Sequence, residues 1–291
     1  MSTQSVDTHP DAERVLIDLI RKAPVERRFR LVQSLTQSTL WANIRSWQER
    51  YAGNTEREAA VRFVSFLYGE ALAQHVQAAL ERQKHWHVQP IDLATVAHSV
   101  LRACERIEAP CYLGGSIASS LHGMQQMAQD IDLLAELDEQ NLFAFLAPLE
   151  RDFLFEKSTI REAVRRRVPF SLLHLDSLAK VDIIVPRCTA FDASLSQLVT
   201  RYVLDERYPP FPVASASEMI LFKLRRFRLV SLVRTDGMRD DAEWNDIVSM
   251  IKVQGSNLDV ELLAEWARTL DVAETWRQAL KDAGRHETSS V

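Results

Sequence analysis

The residues best suited to chemistry in this chain lie between positions 112 and 134. A short apolar run, Pro110 to Leu113, predicts a strand that ends in Gly114-Gly115-Ser116. The small-residue stretch Ile117 to Leu121 predicts the start of a helix. Two glycines at a strand-to-helix turn let backbone come close to a ligand and permit positive φ without a Cβ clash. The turn also leaves free N–H groups at a helix N-terminus, where phosphate is favoured. Beyond the helix, Asp130-Ile131-Asp132 is followed by Leu133-Leu134. In a strand, residues i and i+2 share a face, so the two carboxylates project together while Ile131 turns to the core. Two like charges side by side repel, and a divalent cation between them relieves that. Hard oxygen ligands suit Mg²⁺, which commonly also takes substrate phosphates.

Gly114-Gly115-Ser116, a helix ending in His122-Gly123, and then Asp130-Ile131-Asp132-Leu133 resemble the core of the nucleotidyltransferase superfamily with the DNA polymerase beta fold. More narrowly, they are similar to the AbiEii-like, toxin-type nucleotidyltransferases. The resemblance extends over residues 92 to 280 and includes Trp244-Asn245-Asp246-Ile247-Val248 and Ile251 to Asp259. It implies an α/β (α+β) fold: a polymerase-beta-type core with a small mixed sheet, flanked by helical N- and C-terminal regions. It also implies a third carboxylate on a later strand, which Asp182 in Val181-Asp182-Ile183-Ile184-Val185 supplies.

The activity implied is Mg²⁺-dependent transfer of a nucleoside monophosphate from an NTP to a hydroxyl. Two Mg²⁺ ions about 3.5–4 Å apart would clamp the attacking and leaving oxygens. Asp130 and Asp132 would bridge both ions, and Asp182 would hold the one that activates the acceptor. Gly115 and Ser116, with Gly114 beside them, would cradle the phosphates. Lys223 would reach the triphosphate, with Asp246 orienting it or a neighbouring arginine. The implied acceptor is a tRNA 3′ end or a protein side chain, in a toxin–antitoxin or phage-defence setting. An antitoxin, or self-association through the N-terminal helices, is the further partner expected.

One departure from that family is visible. An arginine and a threonine are common between His-Gly and the first aspartate, where this chain has Gln126 and Ala128. That departure keeps open a non-catalytic regulatory module with the same fold. A small-molecule nucleotidyltransferase is the other alternative. Arg161, Arg165, Arg166 and Arg167, and then Lys223, Arg225, Arg226, Arg228, Arg234 and Arg239, form two local basic clusters. They are either a groove for triphosphate and RNA phosphates or a solvated helix face paired with acidic neighbours.

Composition narrows the class. The chain has 291 residues and a formal net charge of -5, so it is not a basic nucleic-acid binder as a whole. No apolar run approaches the roughly 20 residues of a membrane span, and Met1 to Ser5 lacks the charged and apolar regions of a secretory signal. Cys104, Cys111 and Cys188 lack metal spacing and predict free thiols in a cytoplasmic protein.

The helices around the core follow from periodicity. Residues 1–90 predict a helical accessory domain, 91–214 the catalytic core, and 215–291 a C-terminal helical domain. Val15, Leu16, Leu19 and Ile20 predict the apolar stripe of a first helix ending before Pro24. Thr55 to Glu58 has capping-box spacing. His85-Trp86-His87 predicts a solvated linker, since two histidines alone are weak metal evidence. Helices are further expected over Ile91 to Ile107, Asn141 to Leu149, Glu218 to Arg225, Asp240 to Val253 and Leu258 to Leu270, and an antiparallel pair over Val168 to Leu175 and Lys180 to Val185.

Overall fold

Among the described residues, seven strands, β1 (Cys111–Leu113), β2 (Ile131–Ala135), β3 (Phe153–Leu154), β4 (Phe170–His174), β5 (Lys180–Ile184), β6 (Thr200–Tyr202) and β7 (Phe211–Val213), make one mixed sheet. Its order is β3-β4-β5-β2-β1-β7-β6. The computed structural model describes residues 8–50, 53, 55–83, 85–186, 199–233 and 241–285, with backbone alone at 231–233. β2 alternates as its sequence requires, burying Ile131, Leu133 and Ala135. It runs antiparallel to β1 and parallel to β5, and the second pairing sets Asp132 directly beside Asp182. β4 and β5 are the expected antiparallel pair.

Among the described residues the α-helices are α1 (Pro10–Lys22), α2 (Val25–Arg50), α3 (Glu56–Tyr68), α4 (Glu70–Glu81), α5 (Leu93–Glu105), α6 (Gly115–His122), α7 (Leu142–Leu146), α8 (Lys157–Arg166), α9 (Ala216–Val233), α10 (Asp241–Gln254), α11 (Val260–Thr269) and α12 (Ala273–Asp282). The Thr55–Glu58 capping box starts α3, and Gly69, at φ +93°, separates α3 from α4. Asp92 caps α5 by accepting the Thr95 N–H.

The N-terminal helices pack on the sheet and on the C-terminal helices. One hydrophobic cluster runs from Phe29 of α2 through Leu133 and Ile183 to Trp276 of α12. Arg28 donates to the Leu121 carbonyl at 2.8 Å, and Thr36 accepts the buried Ala128 N–H at 2.8 Å. Arg21 closes the end of α10 by donating to the Val253 and Lys252 carbonyls.

The first apolar stripe departs from expectation. α1 buries Ile17, Ile20 and Glu13, while Val15, Leu16 and Leu19 face outward. On the inward face Ile17 and Ile20 pack against Val253, and the Lys252 ammonium donates to both Glu13 oxygens at 3.0 Å. His85-Trp86-His87 also differs from a solvated linker. Both histidines are exposed, but Trp86 is buried and donates to the Leu175 carbonyl at 3.0 Å. β6, β7, α8 and α12 are additions to the expected elements. No helix among the described residues is long and apolar enough to cross a membrane. Cys104 and Cys111 are free thiols, and Cys188 lies outside the described residues.

Candidate functional site

The turn between β1 and α6 is shaped by what lies against it. Gly115 has φ +53°, and a Cβ built on it would lie 1.6 Å from Asp132 Oδ2. Only glycine fits there, because the Asp132 carboxylate lies over the backbone. The Gly114 N–H donates to the Asp132 carbonyl at 2.9 Å, and the Ser116 N–H reaches the Asp132 side chain. The Ser116 hydroxyl is buried and has no hydrogen-bond partner among the described residues. A buried hydroxyl left unsatisfied is costly, which suits a polar group delivered from outside.

Asp130, Asp132 and Asp182 converge, each offering a carboxylate oxygen within 4.8 Å of the others. Asp132 and Asp182 are cross-strand neighbours on β2 and β5, and Asp130 is the residue just before β2. Burial, and then the charges of Asp130 and Asp182, push Asp132 up to about 7. Burial and Asp182 likewise raise Asp130. Ser171 on β4 donates to Asp182 at 2.6 Å.

A cation already sits in this cluster. Lys180 Nζ lies 2.7 Å from Asp182 and 3.6 Å from Asp130. Burial alone would lower the Lys180 ammonium, but Asp182, Asp130 and Asp132 outweigh it and raise it. The Tyr68 ring, from the end of α3, stands 5.6 Å from that ammonium, and its hydroxyl donates to the Gln129 carbonyl at 3.4 Å. Burial, with Asp130 and Asp182, raises the Tyr68 phenol. Three crowded, partly desolvated carboxylates of hard oxygen fit a divalent cation such as Mg²⁺.

Across the cleft, Lys223 of α9 is buried between Glu243 at 2.8 Å and Asp246 at 2.9 Å, both on α10. Burial opposes its charge, yet the two carboxylates raise the ammonium. Gln126 donates to both Asp246 oxygens, at 2.8 and 2.9 Å. The expected Asp246–Lys223 contact is therefore present, and the departing residue Gln126 completes it. The other departure, Ala128, has its N–H held by the Thr36 hydroxyl from α2.

Both walls line one cleft of about 590 Å³ that contains Gly115, Ser116, the three aspartates and Lys223. Among the described residues, five carboxylates (Asp130, Asp132, Asp182, Glu243, Asp246) and two cations (Lys223, Arg226) line it. A larger cleft of about 760 Å³ lies between α2 and the β6–β7 loop. Among its charges, Arg207 pairs with both Asp92 and Asp205, and no cluster of metal-ligating groups lies there among the described residues.

Other expected residues have structural partners. His122 donates from Nε2 to the Ala214 carbonyl, 2.7 Å away, inside the fold. In the first basic cluster, Arg161 pairs with Glu139, Arg165 and Arg166 with Glu162, and Arg167 donates to the Pro186 carbonyl. In the second, Arg228 pairs with Asp271 and Arg226 lies 3.9 Å from Glu243. Arg234 and Arg239 fall outside the described residues. His87 pairs with Glu56 rather than with His85.

Sequence reasoning missed Lys180, Ser171, Tyr68 and Glu243. A signal existed for Lys180, which is two residues before Asp182 and so shares its strand face. Tyr68 is a contact between residues far apart in the chain and left no local trace.

No protein-family model matches the chain, and no curated protein does. Among solved structures it is similar to a solution structure of the antibiotic-resistance factor ANT(2'')-Ia, with 15% identity and a TM-score of 0.39 over 62% of this chain and 94% of that one. The same factor in a crystal complex with adenylyl-2"-tobramycin gives 14% identity and a TM-score of 0.39 over 60% of this chain and 97% of that one. A nucleotidyltransferase-like antigenic protein from Paracoccidioides brasiliensis gives 18% identity and a TM-score of 0.41 over 70% of this chain and 98% of that one.

Proposed function

We propose that the cleft binds an NTP together with Mg²⁺ and transfers its nucleoside monophosphate to a hydroxyl acceptor, releasing pyrophosphate. The observation that carries this reading is the meeting of three carboxylates with a glycine turn whose Ser116 hydroxyl is unsatisfied. The three neighbouring carboxylates Asp130, Asp132 and Asp182 repel a polyanion, so a triphosphate would enter beside them with its charge offset by divalent cations. Mg²⁺, when bound, would neutralise developing charge and polarise phosphoryl oxygens.

The chain's own residues have separable tasks. Asp130, Asp132 and Asp182 would hold the cation or cations. The backbone at Gly114 and Gly115 lets phosphate approach, and Ser116 would donate its hydroxyl to it. Asp182, which the Ser171 hydroxyl contacts, would receive the acceptor's proton. Lys223, paired with Glu243 and Asp246, would offset charge on the departing pyrophosphate by exchanging one of these carboxylates for a phosphate oxygen.

A tRNA 3′ end or a protein hydroxyl in a toxin–antitoxin or phage-defence setting is the acceptor implied by the AbiEii-like resemblance. A small-molecule hydroxyl is the second reading, and a specific observation favours it. Arg161, Arg165, Arg166 and Arg228 are each engaged by a carboxylate, which leaves less free positive charge for a polynucleotide. The test is incorporation of label from each α-³²P NTP, with Mg²⁺, into total RNA and total protein, beside an Asp130→Ala/Asp132→Ala variant. Label in one pool that disappears in the variant supports the macromolecular reading and names the base. Pyrophosphate release only with added small hydroxyl compounds supports the second. No NTP consumption with any acceptor would refute both.

A further inference from the structure

The triad contains a cation of the protein's own, and nothing in the nucleotidyl-transfer reading uses it. Lys180 Nζ touches Asp182 at 2.7 Å and lies 3.6 Å from Asp130, on the cluster where a divalent cation would have to bind. It is positioned from outside the sheet. The Tyr68 ring at the end of α3 lies 5.6 Å from the ammonium, in the range of a cation–π contact. The Tyr68 hydroxyl fixes the ring by donating to the Gln129 carbonyl, one residue before Asp130. The N-terminal helices thus reach the triad through one aromatic side chain.

We propose that Lys180, seated by Tyr68, is a positioning residue for the triad: its ammonium is a resident counter-ion that a divalent cation must push aside from Asp130 and Asp182. The inference rests on the reading of the triad as a metal site. Its physical content is Coulombic. A single and a double positive charge about 5 Å apart repel enough, even at the dielectric constant of water, to weaken binding by about tenfold. The protein would consequently hold a bare divalent ion weakly and favour one arriving with the negative charge of a triphosphate. α3 would set that threshold through Tyr68.

The experiment is titration of full-length protein with Mn²⁺ alone, following free Mn²⁺ by electron paramagnetic resonance. Wild type is compared with Lys180→Met, Lys180→Arg, Tyr68→Leu and an Asp130→Ala/Asp132→Ala control. Lys180→Met is expected to bind Mn²⁺ about tenfold more tightly, Tyr68→Leu about twofold to fivefold more tightly, and Lys180→Arg like wild type because a cation is retained. Damage to the fold would weaken binding, so the sign separates the proposal from a merely structural role. Should Lys180→Met fail to fold, Lys180→Gln and Tyr68→Leu carry the same test. Unchanged or weaker binding in the folded neutral variants, with wild type binding above the control, overturns the role of Lys180 and leaves the metal site standing. Binding no better than the control in wild type and in every folded neutral variant overturns both.

Discussion

Asp132→Asn should stabilise the metal-free protein, and by an amount that depends on pH. The Asp132 carboxyl is raised from an ordinary 3.8 to about 7 by burial and by Asp130 and Asp182. A carboxyl with a raised folded pKa binds its proton more tightly in the folded chain than in the unfolded one. Stability from this group is therefore highest in acid and declines as pH rises from about 4 to about 7. At 1.36 kcal/mol per unit, a shift of roughly 3 units costs at most about 4 kcal/mol above pH 7. Between pH 5 and pH 8 the part still to be lost is about 2–3 kcal/mol. Asparagine keeps an oxygen for the Ser116 N–H and never ionises. Any packing error it introduces is independent of pH and cancels in the comparison. Urea denaturation of both proteins in EDTA at pH 5 and pH 8 measures this directly. The variant's advantage should grow by about 2–3 kcal/mol between the two, with equal m-values. A difference that stays within about 0.5 kcal/mol at both pH values would refute the idea that unrelieved charge at Asp132 is held in the site.

Two other perturbations have defined outcomes. Gly115→Ala places a methyl against the Asp132 carboxylate at positive φ; the backbone term alone costs about 1 kcal/mol, and loss of Mn²⁺ binding with retained helical circular dichroism is expected. Lys252→Met leaves the buried Glu13 carboxylate without its ammonium and should cost about 3–5 kcal/mol in urea denaturation, whereas Glu13→Leu/Lys252→Met should recover most of it.

The parts of the site that the sequence made visible are the parts built from neighbours in the chain. Gly114 to Ser116 and Asp130 to Asp132 each sit within a few residues, so the turn and the shared strand face follow from backbone geometry alone. Asp182 came from the family resemblance, and the parallel pairing of β2 with β5 then seats it beside Asp132. Strands β6 and β7 were hidden because each has three residues, β6 is largely exposed, and β7 carries Pro212. The stripe expected on α1 faces outward except at Ile20. Val15, Leu16 and Leu19 are apolar at helical spacing, but the face that turns inward is the one whose Glu13 meets Lys252. Tyr68 and Thr36 tie the N-terminal helices to the site by contacts that periodicity does not reveal. Each reaches the 128–130 segment through one side chain, and a contact spanning 61 or 92 positions leaves no periodic signal.

The central claim is that this cleft takes a nucleoside triphosphate with a divalent cation. Equilibrium dialysis of each labelled NTP against full-length protein, with Mg²⁺ and with EDTA, tests it most directly. Binding of at least one NTP that needs Mg²⁺ and is lost in Asp130→Ala/Asp132→Ala is the predicted result. Binding of no NTP in Mg²⁺, or binding that persists in EDTA and in the double variant, would contradict it.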